Sequence, residues 1–365
     1  MPDRPSFIYR LSVRLAERAL PLAARFDKKI ARGVDARRGV LARLAAWGRA
    51  QRDPKRPLVW VHAPSVGEGL QAKPVLETLR AERPQWQLVY TFFSPSAERL
   101  ARTLPVDLAD YLPFDRAADV AAALDALQPS ALVFSKLDVW PELTLAARRR
   151  GTKLGLISAT VALESSRLRW PARRWAEPAY HALDRVGTIS EDDGRRLQQL
   201  GARREAIEVT GDTRYDSVAE RARHLKLPRP VRLSQLEHVE PCPVIVVDRV
   251  GILADLYALA DVAFVGGGYT RAGLHSVLEP AVFGIPVTVG PHWHMSRDAA
   301  LLIERGGAVA LPADGRHPLH SQCLVWYHDP AARRKAGAAG KRLVLEGRGA
   351  AERTTALVRE LVEGG

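Results

Sequence analysis

Short apolar runs alternate with amphipathic stretches along most of this chain, and this alternation limits the possible folds more than any other feature. In the first part of the chain, the runs that predict buried strands are Leu58–Ala63, Gln87–Phe93, Ala131–Ser135, Lys153–Ser158, Arg185–Ser190 and Ile207–Thr210. The stretches between them space their apolar residues as surface helices do. Strands that are apolar throughout and alternate with helices form parallel sheets covered on both faces. The pattern therefore predicts an α/β, doubly wound fold.

A second series of the same kind predicts a second domain, and the chain of 365 residues is long enough for two. Residues 217–243 interrupt the alternation with prolines among charged residues, which is typical of a linker. Beyond the linker, strands are predicted at Val244–Asp248, Val262–Val265 and Pro286–Val289, and helices at Gly251–Leu259, Ser276–Phe283, Arg297–Arg305 and Ala351–Val362. We therefore expect two Rossmann-like domains that face a cleft. The predicted bounds are 1–50 for an N-terminal helical segment, 51–216 for the first domain, 217–243 for the linker and 244–365 for the second domain.

The chain is strongly basic, with 54 Lys and Arg residues against 41 Asp and Glu residues and a net charge of +13. This balance favours partners that carry phosphate: a nucleic acid, an anionic membrane surface or a phosphorylated small molecule. No nucleic-acid recognition motif accompanies the charge, so we expect no nucleic-acid partner. Cys242 and Cys323 match neither a metal-binding spacing nor a disulfide framework, which favours a reducing cytoplasm.

Residues 1–50 differ from the rest because apolar residues at helical spacing alternate with arginines and lysines. The apolar residues are Phe7, Leu11, Leu15, Leu20, Leu22 and Phe26. A basic amphipathic helix of this kind can lie in the headgroup layer of a bilayer. It can equally pack on the domain behind it, and the sequence alone does not decide between the two. No apolar run is long enough to span a membrane, so we expect any membrane contact to be peripheral.

Polar residues follow the first predicted strand, at the edge where open α/β folds bind their ligands. Ser65, Gly67 and Glu68 lie there in a turn that precedes a helix. The Glu68 carboxylate could accept a proton from a substrate hydroxyl, or it could be a first-turn helix residue favoured by the helix dipole. No Gly-x-Ser-x-Gly elbow surrounds Ser65, so we discount a hydrolase triad with His62.

Two further strands end in the same manner. Ser94 and Ser96 follow the second strand and can cap the next helix, with anion binding as an additional role. Lys136 follows the third strand, where it could contact a carboxylate or a phosphate. A purely structural pair between Lys136 and Asp138 is the alternative.

A glycine-rich turn in the second half is the most specific motif. Glycines let the backbone approach a ligand closely, and a helix N-terminus offers free N–H groups to a phosphate. Glu279 lies one turn into the following helix, where its carboxylate could reach the hydroxyls of a ribose. The residues of this turn and of a similar turn after the next strand are Gly267, Gly268, His275, Ser276, Pro291 and His292. The chain has no P-loop motif, and its histidines lack metal-ligand spacing, so we expect neither a metal nor a cofactor.

Taken together, these segments resemble the 3-deoxy-D-manno-octulosonic acid (Kdo) transferases. The resemblance covers nearly the whole chain in order. It is carried by Val61–Glu68, Val139–Leu143, Val209–Asp212, Tyr257–Gly267, Gly273–Pro280 and Gly290–His292.

The resemblance implies a GT-B fold and transfer of Kdo from CMP-Kdo to a lipid A precursor at the cytoplasmic face of the inner membrane. It implies that Glu68 is the catalytic base and that Glu279 holds the donor ribose. Ser276 then stands where the family usually has asparagine, and Pro291 and His292 line the CMP site. The acceptor-binding residues expected from the first domain are Ser65, Gly67, Ser94, Ser96 and Lys136.

The chain departs from the family pattern at three places. Lys136-Leu137-Asp138 stands where the family often has Glu-x-Glu, and Met295-Ser296 stands where it often has Asn-Phe. The second domain is expected to be shortened, because only the Pro-rich linker separates Asp216 from Val244. Two other functions remain open at this point: a nucleotide-sugar epimerase or hydrolase of the same fold, and a non-catalytic protein that binds a nucleotide or a lipid.

Overall fold

The computed structural model describes residues 4–162, 165–168, 172–224, 253–269, 273–313 and 318–364. The chain forms two compact units. The first contains Met1–Arg214 together with Gly349–Gly365, and the second contains Tyr215–Arg348.

The first unit is built on a parallel sheet of seven strands in the order β3-β2-β1-β4-β5-β6-β7. The strands are β1 (Leu58–His62), β2 (Gln87–Phe92), β3 (Leu108–Tyr111), β4 (Ala131–Ser135), β5 (Lys153–Ala159), β6 (Arg185–Thr188) and β7 (Ile207–Val209). Because β1 pairs with both β2 and β4, the strand order reverses at β1, and ligands of such sheets bind beside this point. The segments that follow β1 and β4 carry Glu68 and Lys136. The doubly wound α/β prediction is confirmed.

Helices of the first unit connect and cover these strands. They are α1 (Phe7–Ala23), α2 (Lys28–Arg37), α3 (Val40–Gln51), α4 (Val66–Glu82), α5 (Glu98–Ala101), α6 (Ala117–Leu127), α7 (Pro141–Arg149), α8 (Ala172–His181) and α9 (Glu191–Gln199). Every residue of β1 is buried, which is the expected result for a central strand covered on both faces. The edge strand β3 was not predicted, because it has only four residues and Asp110 interrupts their apolar character.

The second unit contains a smaller parallel sheet in the order β10-β9-β8. Its strands are β8 (Ala263–Val265), β9 (Val287–Val289) and β10 (Ala308–Ala310). Its helices are α10 (Arg214–His224), α11 (Leu253–Leu256), α12 (Leu278–Val282), α13 (Arg297–Glu304), α14 (Pro318–His328) and α15 (Pro330–Glu346). Val265, Val287 and Val289 form the centre of its core, at 1% exposure or less. The elements β10, α14 and α15 were not predicted.

The linker prediction is wrong for residues 217–224, which belong to α10. Tyr215 and Ala219, four residues apart, are buried against the second core, so apolar packing makes this charged segment helical. The remaining linker residues and the predicted strand Val244–Asp248 lie outside the described residues.

The last helix, α16 (Ala350–Glu363), belongs to the first unit, although we assigned residues 244–365 to the second domain. Its buried face consists mainly of Leu357, Val358 and Leu361, which are at most 4% exposed. The side chain of Leu361 lies against Gly155 of β5, where a Cβ atom would have only 2.5 Å of space. The assignment from chain order was wrong because the apolar face of this helix covers the larger sheet.

Helix α1 rests on the first unit through polar contacts and buries none of its own residues. The Tyr9 hydroxyl donates to Asp115 Oδ2 at 2.7 Å, and Arg116 pairs with Glu17 at 2.8 Å. The large apolar residues of this N-terminal region that are exposed are Phe7, Ile8, Leu11, Leu15, Leu22 and Phe26. Among the described residues, no helix has both the length and the apolar character to cross a membrane.

Candidate active site

Glu68 lies at the start of α4, directly after the carboxyl end of β1. Ser65 is the N-cap residue, so Glu68 occupies the third helical position, where a carboxylate is favoured by the helix dipole. The sequence left open whether Glu68 is a turn residue or a first-turn helix residue, and the structure shows the latter. Its side chain is 15% exposed, so solvent and a substrate can still reach it.

Both oxygens of the Glu68 carboxylate accept hydrogen bonds. The Ser65 hydroxyl donates to Oε2, and the Lys136 ammonium donates to Oε1 at 3.1 Å. Burial alone would raise the pKa of Glu68, but the hydrogen bond from Ser65 and the charge of Lys136 outweigh it, so the pKa is lowered. Glu68 is therefore an anion at neutral pH and can accept a proton.

The loop that carries Lys136 is fixed by contacts to its neighbouring residues. Lys136 has φ of 69°, a left-handed conformation that is uncommon for a residue with a side chain. The next carbonyl, that of Leu137, accepts hydrogen bonds from Tyr180 Oη at 2.8 Å and Arg167 Nη1 at 3.0 Å. Asp138 pairs with Arg167, not with Lys136, so the structural pair considered from the sequence is replaced by a pair between Lys136 and Glu68.

His62 lies beneath this site, fully buried at the end of β1. Its Nε2 accepts from the Trp140 indole N–H at 3.2 Å, and Nδ1 lies 3.1 Å from the Thr91 hydroxyl. Because an indole N–H can only donate, the imidazole carries its proton on Nδ1. Burial lowers the pKa of His62 to about 3, so the ring stays neutral. Both nitrogens are occupied, which leaves none for Ser65 and no Ser-His catalytic pair.

Sequence reasoning missed this network. Trp140 entered the sequence analysis only within Val139–Leu143, a segment of the family resemblance, and the signal for its role was its position directly after a strand-end loop. Ser135 was also missed, although its hydroxyl donates to the Glu68 carbonyl at 3.1 Å.

Ser94 and Ser96 lie after β2 and bond mainly to each other. The Ser94 hydroxyl accepts from the Ser96 amide at 3.3 Å and from the Ser96 hydroxyl at 3.0 Å. These contacts cap a short turn of 3₁₀ helix at Pro95–Ala97. The amide of Ser94 also donates to the Pro64 carbonyl at 2.7 Å, which ties this loop to the loop that carries Ser65. Capping is therefore their observed role.

In the second unit, the glycines of the glycine-rich turn allow two loops to touch through their backbones. A Cβ atom on Gly268 would lie 2.7 Å from the Gly290 amide nitrogen, so neither position has room for a side chain. Gly267 has φ of 95° and its missing Cβ would collide with the Gly273 carbonyl oxygen. The His292 amide donates to the Gly268 carbonyl at 2.8 Å and joins the two predicted turns.

Glu279 and the surrounding polar groups remain more accessible. Glu279 is half-buried near the start of α12, and burial raises its pKa while Arg221 opposes the shift. No hydrogen bond to its carboxylate is formed within the described part of the chain. His275, Ser276 and His292 are exposed, and Pro291 is half-buried. The described residues contain no group of three or more metal-ligating side chains.

Comparison with known proteins identifies the family. The profile of the family described as "3-Deoxy-D-manno-octulosonic-acid transferase (kdotransferase)" matches residues 33–217. The chain is 28% identical to the 3-deoxy-D-manno-octulosonic acid transferase of Bordetella pertussis, with 85% of this chain and 89% of that protein covered. It is 22% identical to the transferase of the same name from Haemophilus influenzae, with 90% and 92% covered.

Solved structures show the fold. A putative UDP-N-acetylglucosamine 2-epimerase from Listeria monocytogenes matches with a TM-score of 0.58 at 14% identity, covering 85% of this chain and 98% of that one. A glycosyltransferase from Rickettsia africae matches with a TM-score of 0.55 at 11% identity, covering 85% and 100%. At these identities the likeness concerns architecture alone, and it confirms the GT-B prediction. The chain belongs to the 3-deoxy-D-manno-octulosonic acid transferase family.

Proposed function

We propose that this Kdo transferase moves Kdo from CMP-Kdo to a hydroxyl of a lipid A precursor, with inversion at the anomeric carbon and with Glu68 as the catalytic base. The observation that carries the proposal is the Glu68 carboxylate itself. It is anionic, partly exposed and fixed at the carboxyl edge of the sheet where the strand order reverses. General-base catalysis needs a group in this state.

In the proposed reaction, the acceptor hydroxyl oxygen forms a bond to the anomeric carbon while the bond from that carbon to the CMP phosphate breaks. The hydroxyl proton goes to Glu68, and the bonding electrons leave with CMP. Ser65, Gly67, Ser94, Ser96 and Lys136 surround the acceptor in this proposal. His62 is kept neutral by burial and is held in place by Trp140, so it supports the site without taking part in proton transfer.

The donor is assigned to the second unit. Glu279 has carboxylate oxygens that can accept hydrogen bonds from the two hydroxyls of a ribose. We assign the remaining donor contacts to the two joined loops. They are Gly267, Gly268, His275, Ser276, Pro291 and His292. The exposed state of these polar groups supports a binding role, because a nucleotide can reach them directly.

The test of this function is an assay of the purified protein with CMP-Kdo, with and without a lipid A precursor. Kdo attached to the lipid is the expected product. Hydrolysis of CMP-Kdo without an acceptor supports a hydrolase, and binding of CMP without turnover supports a non-catalytic protein. Either result contradicts the proposal.

We also propose that the protein binds the cytoplasmic face of the inner membrane peripherally, through α1. Phe7, Leu11, Leu15 and Leu22 recur every four or seven residues and so share one face of the helix, and all four are exposed. Tyr9 and Glu17 bond to the first unit from other positions of the helix. Exposed Arg14, Arg18 and Arg25 lie among the apolar residues and match an anionic lipid surface.

Sedimentation with vesicles of anionic phospholipid tests this surface. Each basic residue near such a surface contributes about 1 kcal/mol, and salt screens this attraction. We expect the protein to sediment with the vesicles and to be largely released by high salt. Replacing Leu11 and Leu15 with serine should weaken sedimentation without unfolding, because both side chains already face solvent. Unchanged sedimentation of that variant would place the membrane surface elsewhere.

A further inference from the structure

We propose that Lys136 is a positioning residue for Glu68, which holds the carboxylate over the edge of the sheet and keeps it anionic between turnovers. The inference rests on the proposed function, in which Glu68 takes the acceptor proton. It deepens that function by assigning a second residue to the control of the base.

The contacts of the carboxylate come from two separate segments of the chain. Ser65, from the turn after β1, donates to Oε2, and Lys136, from the loop after β4, donates to Oε1 at 3.1 Å. Ser135 adds a bond of 3.1 Å to the Glu68 main-chain carbonyl. Side chain and backbone of Glu68 are thus both held, and the two carboxylate oxygens cannot rotate freely.

The backbone that carries Lys136 is fixed, although 42% of its side chain is exposed and exposed ion pairs contribute little by themselves. Its φ of 69° turns the chain out of β4, and its amide donates to the Ile157 carbonyl at 2.8 Å. The two hydrogen bonds to the Leu137 carbonyl hold the other side of the residue.

The remaining titratable groups around Glu68 do not replace this charge. His62, at the end of β1, is neutral, and burial raises the pKa of Tyr90, on β2, so that it is neutral too. Among the described residues, Lys136 is the one cation within ion-pair distance of Glu68. Without Lys136, burial favours the protonated carboxyl, and the Ser65 hydroxyl and a backbone amide are left to oppose the rise in the pKa of Glu68.

This arrangement has a consequence for the catalytic cycle. After transfer, the proton from the acceptor hydroxyl is bound to Glu68, and the partly exposed carboxyl must release it to water before the next turnover. The neighbouring ammonium favours release because it stabilises the anion that remains. Lys136 therefore favours the return of Glu68 to its anionic state after each turnover.

The test compares Lys136→Met, which removes the charge and keeps the length, with Lys136→Arg, which keeps the charge. Lys73→Met is the matched control, because Lys73 pairs with Glu77 on the same helix away from the site. Two measurements are made on the full chain: the titration of the Glu68 carboxyl by ¹³C NMR, assigned with Glu68→Gln, and the pH dependence of kcat/KM.

We expect Lys136→Met to raise the pKa of Glu68 by about one unit, since opposite charges at this distance have effects of that order when partly exposed. The acid limb of the pH profile of kcat/KM should shift to higher pH by the same amount. Lys136→Arg should restore the wild-type limb, and Lys73→Met should leave it unchanged. An unmoved limb with a raised KM for the acceptor would overturn the proposal in favour of a lysine that only binds substrate.

The experiment separates this inference from the proposed function. An active wild type whose Glu68 titration does not respond to Lys136→Met overturns the role of Lys136. A wild type that is inactive with CMP-Kdo and acceptor, but whose titration responds as expected, overturns the proposed reaction and supports the pairing.

Discussion

The two units of the molecule hold their candidate functional residues by different means. In the seven-stranded unit, side chains fix one another: Ser65 and Lys136 hold Glu68, and Trp140 holds His62. In the three-stranded unit, the loops are fixed by backbone contacts at Gly268, while Glu279 receives no hydrogen bond within the described residues. A preorganised side chain suits chemistry, whereas accessible polar groups on a rigid backbone suit binding. This difference supports the proposal that the first unit carries the catalytic base and the second unit binds the donor.

The largest expected effect concerns the chemical role of the first unit. Replacing Glu68 with glutamine keeps its shape and removes the base, so kcat should fall by roughly two to four orders of magnitude. Binding of CMP-Kdo, measured by calorimetry, should persist, because the proposed donor contacts lie in the other unit. A variant with near-normal turnover would break the assignment of catalysis to Glu68.

The second prediction concerns the backbone contacts of the three-stranded unit. Gly267→Ala combines a left-handed φ of 95° with a collision against the Gly273 carbonyl, so we expect a loss of about 3 kcal/mol in the free energy of unfolding. Gly273→Ala is the control, because its φ of 94° is equally strained but its missing Cβ meets no described residue within 4 Å. That variant should lose only about 1 kcal/mol in denaturant unfolding. Equal losses would show that the loop contact is unimportant.

The strands could be predicted from the sequence, but the partners of the site residues could not. Runs such as Ala131–Phe134 are apolar throughout, so the local sequence alone indicates that they are buried. The pairing of Glu68 with Lys136 requires β1 to lie beside β4, a neighbour that the chain reaches only after forming β2 and β3. No local pattern reports such a crossover, and the same reason explains why the contact between His62 and Trp140 was missed.

The third prediction concerns how the free energy of unfolding of the first unit depends on pH through the buried Asp115. Asp115 is fully buried, where it accepts hydrogen bonds from Tyr9 and from two backbone amides of α7, and burial raises its pKa to about 6. Its pKa is thus higher in the folded than in the unfolded chain, so its stabilising contribution is complete below about pH 4 and is lost as the pH rises through 6.

A shift of this size corresponds to about 3 kcal/mol. In urea unfolding between pH 4 and 7, the stability of the wild type should therefore fall relative to that of Asp115→Asn, which has no such ionisation. Parallel stability curves for the two proteins would show that Asp115 titrates normally.

The smallest expected effect concerns the proposed binding of the donor nucleotide by Glu279 of the second unit. Glu279→Ala removes the carboxylate assigned to the ribose hydroxyls, and we expect CMP to bind about tenfold more weakly, the effect of one or two lost hydrogen bonds to a charged group. Bound CMP-Kdo should still be turned over at a near-normal kcat. A large fall in kcat with unchanged CMP affinity would give Glu279 a catalytic role instead of a binding role. The proposed division of catalysis and donor binding between the two units would then be wrong.

The position of α16 determines when the first unit can finish folding during synthesis. The strands that this helix covers, β5 and β6 among them, leave the ribosome well before Ala350–Glu363 do, because the whole second unit is translated in between. Until then, the sheet face that Leu357, Val358 and Leu361 will cover stays open to water and to other nascent chains. An open apolar face of this kind is a natural target for chaperones. The larger unit begins to fold first and is completed last.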